Sequence, residues 1–68
     1  MSEPVYKKLQ VVGTSTTSFS DAAAKAIAKL GESEKRASWF EVVEQRGSVV
    51  EGLIQQYQVT LNVGIRIA

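Results

Sequence analysis

Gln56-Tyr57-Gln58-Val59-Thr60-Leu61-Asn62-Val63-Gly64-Ile65-Arg66-Ile67 alternates between apolar and polar side chains over most of its length. This period of two predicts a β-strand with one apolar face, because successive side chains of a strand point to opposite sides. The apolar row consists of Tyr57, Val59, Leu61, Val63, Ile65 and Ile67. The opposite row is mainly polar and consists of Gln56, Gln58, Thr60, Asn62 and Arg66.

A second strand is predicted at residues 38–46, Ser38-Trp39-Phe40-Glu41-Val42-Val43-Glu44-Gln45-Arg46. Strict alternation gives it one face made of Trp39, Glu41, Val43 and Gln45, and an opposite face with Phe40 and Val42. If the two strands pair as a hairpin through a connection at 48–53, the apolar rows share a face and Trp39 lies among polar side chains. A covered Trp side chain buries roughly 150–250 Å², so we expect something to cover Trp39.

A helix is predicted between this strand and a first strand at residues 5–14. Ser18 begins the helix, because its hydroxyl can accept a hydrogen bond from the amide near Asp21, and the Asp21 carboxylate favours the positive end of a helix. The helix ends between Gly31 and Lys35. Its apolar stripe consists of Phe19, Ala22, Ala23, Ala26, Ile27 and Leu30. The element order predicts a single α+β domain over residues 1–68 with β-α-β-β topology.

The predicted elements differ in length. A helix of about 16 residues spans roughly 24 Å, whereas a final strand of about 12 residues spans roughly 40 Å. One helix cannot cover such a sheet. We therefore expect a three-stranded antiparallel sheet that curls around the helix, with an overhanging apolar end, Val63, Ile65 and Ile67, buried against another copy of the chain.

Composition favours the same conclusion. A 68-residue domain is small enough that it normally needs stabilisation by disulfides, a metal ion or oligomerisation. Because the chain has no Cys or His, disulfides and zinc are excluded and oligomerisation remains. Eight Lys and Arg against seven Asp and Glu give a net charge of +1, too little for a general nucleic-acid or membrane binder. The N-terminus lacks an apolar signal core, so we expect a soluble cytoplasmic protein.

The sequence offers little catalytic chemistry. Without His or Cys, the common triads and zinc sites are excluded, and we expect no metal site and no catalytic residue. Alternation puts Glu41 and Glu44 on opposite faces, so they do not form a catalytic carboxylate pair, and lone glutamates on strands are usually solvated or ion-paired. The glycines are interpreted as turn residues. An exposed indole beside amide side chains instead indicates a binding protein for a flat aromatic ligand.

Several blocks of the sequence resemble the dodecins, a family of small flavin-binding proteins. The resemblance runs from about Val5 to Ile67, and its most specific parts are the Trp39-Phe40-Glu41-Val42 and Tyr57-Gln58-Val59-Thr60-Leu61 blocks at this separation. It implies a sheet wrapped around one helix, assembled into a hollow dodecamer with 23 symmetry. It also implies that pairs of flavins are sandwiched between tryptophans of neighbouring subunits.

The resemblance assigns roles to individual residues. Trp39 would stack on the isoalloxazine and Gln58 would hydrogen-bond the polar edge of the ring system, while the Ser38 backbone and the Gln45 side chain would border the pocket. Arg46 would hold the phosphate of an FMN-type ligand, although riboflavin and FAD share the same ring. Arg66 matches a basic position used near phosphate groups, including those of coenzyme A.

The implied function is flavin storage and photoprotection without turnover, because electron-rich indoles in contact with the ring quench its excited state. Three alternatives remain open at this stage: a flavin-dependent enzyme, a coenzyme A carrier and a purely structural cage. Trp39 could also be buried in a subunit interface without any ligand. Arg46 and Arg66 could form ion pairs with Glu44, Glu41 or an acidic residue of a neighbouring subunit. Lys25 and Lys29 are interpreted as a solvated helix face.

Overall fold

The computed structural model describes residues 3–68 and has the element order that the sequence predicts. The elements are β1 (Tyr6–Ser15), α1 (Phe19–Leu30), β2 (Ala37–Val50) and β3 (Leu53–Arg66). The α+β class and the β-α-β-β topology are confirmed. The helix is shorter than predicted, at 12 residues, and the two hairpin strands are longer, at 14 residues each.

The sheet is antiparallel with strand order β1-β3-β2, so β3 is the central strand. The apolar row of β3 faces α1 and forms the core, where Val59, Leu61, Val63 and Ile65 are each at most 3% exposed. Ala22 of the helix is fully buried against them. The helix packs on β1 and β3 and leaves the inner face of β2 open. Below, the inner face of the sheet is the one that carries α1, and the outer face is the opposite one.

Ser18 caps the helix as predicted, and its side chain accepts a hydrogen bond from the Asp21 amide at 3.0 Å. Buried Ser15, the last residue of β1, donates its hydroxyl to the Asp21 carboxylate at 2.6 Å and accepts from the Thr17 amide at 2.9 Å. The Ser15 hydrogen bond, followed by that from Lys25, lowers the pKa of Asp21 below its ordinary value. These contacts fix the entry of the chain into the helix. Gly31 forms the C-terminal cap.

Strand β2 contains a β-bulge that changes which side chains share a face. Val42 pairs with Leu61, but the next paired residue is Glu44, opposite Thr60, so Val43 is the extra residue. Beyond the bulge, Glu44 and Arg46 lie on the outer face and Gln45 lies on the inner face, opposite Val59. The prediction from strict alternation is therefore wrong here: Glu41 and Glu44 share a face, and Gln45 does not share the face of Trp39.

The uncovered apolar end of the sheet is the hairpin, not the C-terminal end that the sequence suggested. A 12-residue helix is about 18 Å long, and α1 runs from Tyr57, whose ring contacts Phe19 at a centroid distance of 5.0 Å, toward Ile65. Val63 and Ile65 are therefore buried within their own chain, and of the three residues predicted to overhang, Ile67 alone is exposed.

A two-residue turn, Glu51–Gly52, connects β2 and β3, so the hairpin connection is shorter than the predicted 48–53. Both turn residues have positive φ, 51° and 79°, as a type I′ turn requires. The strands next to this turn carry four exposed aliphatic side chains: Val49, Val50, Leu53 and Ile54. These four residues are called the hairpin tip below.

Gly13 lets the helix approach β1 closely. A Cβ at this position would collide with the carbonyl oxygen of Ala22 and lie 2.8 Å from the Cβ of Ala26. We predict that Gly13→Ala lowers the free energy of unfolding by about 1–3 kcal/mol, because the backbone of α1 must move away. Urea unfolding at one protein concentration measures this, with Thr14→Ala on the outer face as the control. Equal stability of the two variants would contradict the close contact.

Candidate functional site

Trp39 lies on the outer face of the sheet, away from the helix. It is paired across the β2–β3 ladder with Gly64 and is 38% exposed. The benzene ring of its indole lies directly over Gly64, where an added Cβ would collide with the ring atoms Cε2 and Cζ2. One face of the indole therefore rests on the backbone of the central strand. The tryptophan forms a flat apolar platform on an otherwise polar part of the sheet.

Tyr6 of β1 supports this platform from the side. Its ring is 5.6 Å from the Trp39 ring between centroids, at an interplanar angle of 61°, which is an edge-to-face contact. Tyr6 is itself 37% exposed. The indole thus reaches across β3 and contacts all three strands, because it starts on β2, rests on Gly64 and meets Tyr6.

A hydrogen-bond network of polar side chains crosses the three strands beside Trp39. Lys8 Nζ donates to Glu41 Oε1 at 2.6 Å, and Asn62 Nδ2 donates to the same oxygen at 3.3 Å. Gln10 Nε2 in turn donates to Asn62 Oδ1 at 3.2 Å. The hydrogen bond from Lys8, and then that from Asn62, lowers the pKa of Glu41 below its ordinary value. This network holds a carboxylate and a cation next to the platform.

Within one chain, the residues that the resemblance assigns to the flavin lie in two separate places. Ser38, Trp39 and Arg66 are at one end of the sheet, whereas Arg46 and Gln58 are directly paired nearer the hairpin. The strand partners of Trp39 and Arg46 are Gly64 and Gln58, six residues apart on β3, which corresponds to roughly 20 Å. A single flavin ring cannot contact Trp39 and Gln58 of the same chain.

Gln45 lies on the opposite face of the sheet from the one that strict alternation predicts. The bulge at Val43 turns its side chain to the inner face, where it lines the open groove between α1 and β2 together with Phe40 and Val42. It therefore cannot border a pocket built on Trp39 of its own chain.

The remaining predicted polar residues have identifiable partners. Arg46 Nη2 is 3.1 Å from Glu44 Oε2, and both side chains are exposed. Arg66 Nε donates to the Ala68 carbonyl at 3.1 Å, and the Ser38 hydroxyl donates to the Arg36 carbonyl at 3.1 Å. Lys25 and Lys29 form exposed pairs on the helix surface with Asp21 and Glu32, as expected for a solvated face.

Sequence reasoning missed Gly64, Tyr6 and the network of Lys8, Gln10 and Asn62 around Glu41. Gly64 carried a usable signal, because a glycine inside a strand marks a place where another group approaches the backbone. The interpretation of the glycines as turn residues is therefore wrong at Gly64, which lies within β3. The other contacts depend on the register between β1 and β3, which the sequence alone did not provide.

We predict that Gly64→Ala lifts the indole off the sheet, because the new Cβ would occupy the position of the ring. Trp39 is the one tryptophan of the sequence, so its emission reports this change directly. We expect a shift of the emission to longer wavelength and a loss of stability of about 1–3 kcal/mol. Thr60→Ala, on the same strand and face, is the matched control. An unchanged emission spectrum in Gly64→Ala would contradict the contact between the Trp39 indole and the backbone of Gly64.

We also predict a pH dependence of the network beside Trp39. The pKa of Glu41 is lowered in the folded protein, so its stabilising contribution is complete above its pKa in the unfolded chain and is lost as the pH falls through the lower folded value. As the pH is lowered from about 5 to about 3, the urea concentration at the unfolding midpoint should therefore decrease less in Glu41→Gln than in the wild type. Glu51→Gln at the hairpin turn is the control. Identical pH profiles for wild type and Glu41→Gln would count against the network.

Residues 3–68 contain neither a cluster of metal-binding side chains nor a helix that could span a membrane. No group of three or more acidic, His or Cys side chains comes together there in a way that could hold a metal ion. The helix in this part of the chain is too short and too polar to cross a membrane.

Comparison with known proteins gives consistent matches along the whole chain. The sequence profile of the dodecin family matches residues 5–68. A dodecin from Thermus thermophilus is 41% identical over 63 residues, which is 93% of this chain and 91% of the relative. The structure of dodecin from Streptomyces coelicolor superimposes with a TM-score of 0.91 at 32% identity, covering 100% of this chain and 97% of that chain.

A third relative is a calcium-binding dodecin. It is a Mycobacterium tuberculosis antigen described as a calcium-chelating calcium dodecin with a novel calcium-binding site. It matches with a TM-score of 0.80 at 34% identity, over 94% of this chain and 91% of that chain. Because the family profile and the relatives cover nearly all of the sequence and agree with the observed fold, the chain belongs to the dodecin family.

Proposed function

We propose that this protein binds and stores a flavin, FMN or riboflavin, by stacking its ring system on Trp39, and that it acts as a sequestering protein rather than an enzyme. The observation that carries the proposal is the exposed indole seated on Gly64. A flat apolar ring fixed on a polar sheet provides a stacking surface for a planar aromatic ligand. The neighbouring carboxylate, amides and cation provide directional hydrogen-bond partners.

The arrangement supports a site shared between copies of the chain. Trp39 and Gln58 lie on the same outer face but roughly 20 Å apart along β3. A ligand that stacks on Trp39 and hydrogen-bonds Gln58 must therefore take the two residues from different copies. The proposal thus includes a homo-oligomer, and the dodecamer implied by the family resemblance is the assembly that we expect.

The residues have separate roles in this proposal. Trp39 stacks on the ring, Gln58 of another copy pairs with its polar edge, and the backbone of Ser38 borders the platform. Arg46 is beside Gln58 on the outer face, so a guanidinium is available for the phosphate of FMN close to the amide that binds the ring. Arg66 is exposed at the other end of the sheet, where it can hold a second phosphate-bearing ligand such as coenzyme A.

The proposed chemical consequence is quenching. An indole in van der Waals contact with the isoalloxazine donates an electron to its excited state, and the rapid return of that electron dissipates the absorbed light. A pair of flavins stacked between two indoles also leaves no room for a substrate at the ring faces. Storage and photoprotection follow from this geometry, whereas a flavin-dependent reaction would need space beside the ring.

We predict that FMN fluorescence is almost completely lost on titration with the wild-type protein, and that Trp39→Ala weakens FMN binding about 10- to 100-fold, as expected for loss of a stacking contact of about 1–3 kcal/mol. Light scattering provides the control, because the mass of the assembly should be unchanged in this variant. Unaltered quenching in Trp39→Ala would contradict the stacking role.

The same titration separates the alternatives. Retained FMN fluorescence together with reduction of the bound flavin by a cosubstrate would indicate an enzyme. No quenching at any protein concentration would favour a coenzyme A carrier or a structural cage, and binding of coenzyme A can then be measured by calorimetry with Arg66→Ala as the comparison.

A further inference from the structure

Tyr6 contacts the edge of the Trp39 indole and leaves the outward face of the indole free. The two ring centroids are 5.6 Å apart and the ring planes are inclined at 61°, which brings the ring edges close to van der Waals contact. The inward face of the indole rests on Gly64. Tyr6 therefore touches the platform without occupying the surface on which a ligand would stack.

This contact joins two of the few side chains that can be oxidised by one electron. The chain has one Trp, two Tyr, one Met and no Cys, and Met1 lies outside the described residues. Among residues 3–68, Tyr6 and Trp39 are the pair of oxidisable rings in direct contact. An electron can therefore pass from the phenol to the indole without crossing any other group.

The second tyrosine, Tyr57, is placed differently. It is on the inner face of the sheet, on the side of the hairpin tip, and its ring contacts Phe19. On β3 it is seven residues from Gly64, the strand partner of Trp39, which corresponds to roughly 23 Å. The chain thus contains one tyrosine that touches the indole and one that is remote from it.

An indole that stacks on a light-absorbing ligand is at risk of one-electron oxidation. In the proposed quenching Trp39 gives an electron to the excited ligand, and the same electron comes back. If dioxygen takes up that electron as superoxide, it cannot return, and Trp39 is left as a radical cation. This cation loses its Nε1 proton to water and becomes a neutral indolyl radical, which reacts further with oxygen and destroys the platform.

We propose that Tyr6 is the electron donor that repairs the oxidised Trp39. Tyr6 gives one electron to the indolyl radical and its phenolic proton to water, while the indole takes up a proton at Nε1. The products are an intact Trp39 and a tyrosyl radical at Tyr6. The transfer runs in this direction because a phenol that can release its proton to water is oxidised more easily than an indole at neutral pH.

The position of Tyr6 suits this role. It is the first residue of β1, which is an edge strand of the sheet, and it is 37% exposed. Water can therefore accept the phenolic proton. A soluble thiol or ascorbate can then reach the tyrosyl radical and donate a hydrogen atom, which regenerates the phenol. The oxidation is thereby moved from the ligand-binding indole to an exposed side chain that soluble reductants restore.

The light-driven step rests on the proposed function, whereas the transfer from Tyr6 to Trp39 depends on this chain alone. Pulse radiolysis of the ligand-free protein tests the transfer directly. Azide radicals oxidise indoles in preference to phenols at neutral pH, so they generate the indolyl radical of Trp39. We expect its green absorption band to decay while the violet band of a tyrosyl radical grows at the same rate, and this rate should not depend on protein concentration.

Two conservative variants identify the donor. Tyr6→Phe keeps a ring at the edge of the indole but removes the oxidisable hydroxyl, so the tyrosyl band should be lost and the indolyl band should persist. Tyr57→Phe is the matched control and should behave as the wild type does. The proposal is overturned if the wild type forms no tyrosyl radical, if Tyr6→Phe still forms it at the wild-type rate, or if Tyr57→Phe abolishes it.

Illumination of the FMN complex in air tests the protective consequence. The readout is the amount of intact Trp39, measured by mass spectrometry of the peptide that contains it. We expect Trp39 to be lost several-fold faster in Tyr6→Phe than in the wild type or in Tyr57→Phe. Equal losses in the three proteins, with FMN fluorescence quenched in all of them, would contradict a repair role for Tyr6.

The two experiments separate this inference from the proposed function. Absence of FMN quenching in the wild type would contradict the stacking of flavin on Trp39, and the radiolysis result would then decide the transfer from Tyr6 by itself. Normal FMN quenching together with an indolyl radical that does not oxidise Tyr6 would support the flavin site and overturn the repair.

Discussion

The alternation of β3 is the constraint on which the rest of the structure depends. Val59, Leu61, Val63 and Ile65 are held under the helix, so the residues between them must face outward. Gly64 is one of these residues, and the absence of a side chain there leaves the space in which the indole of Trp39 lies. Core formation on one face of the strand thereby fixes the position of the platform on the other face.

The sequence predicted those parts of the fold that depend on local periodicity and caps. The strand and helix order, the Ser18 cap, the pairing of the two last strands and the outward orientation of Trp39 all followed from such patterns, and all are confirmed. The bulge at Val43 was missed because a single extra residue leaves two adjacent valines and no other local sign. The position of Gln45 was wrong for this reason alone.

The remaining differences come from lengths and registers that sequence periodicity does not define. The helix ends at Leu30 and the strands continue to Val50 and from Leu53, so the uncovered apolar end is the hairpin rather than the C-terminus. The support of Trp39 by Tyr6 depends on the register between β1 and β3. The separation of Trp39 from Gln58 is likewise a matter of register, and it means that one ligand can contact both residues only if they belong to different copies of the chain.

The central claim is that one ligand is bound by Trp39 of one copy of the chain and by Gln58 of another copy. Co-assembly of Trp39→Ala chains with Gln58→Ala chains tests it most directly, with FMN quenching as the readout. Where a Gln58→Ala chain supplies Trp39 and its neighbour supplies Gln58, complete sites should form, and the mixed assemblies should quench more strongly than either variant alone. Quenching equal to the average of the two separate variants would contradict a shared site.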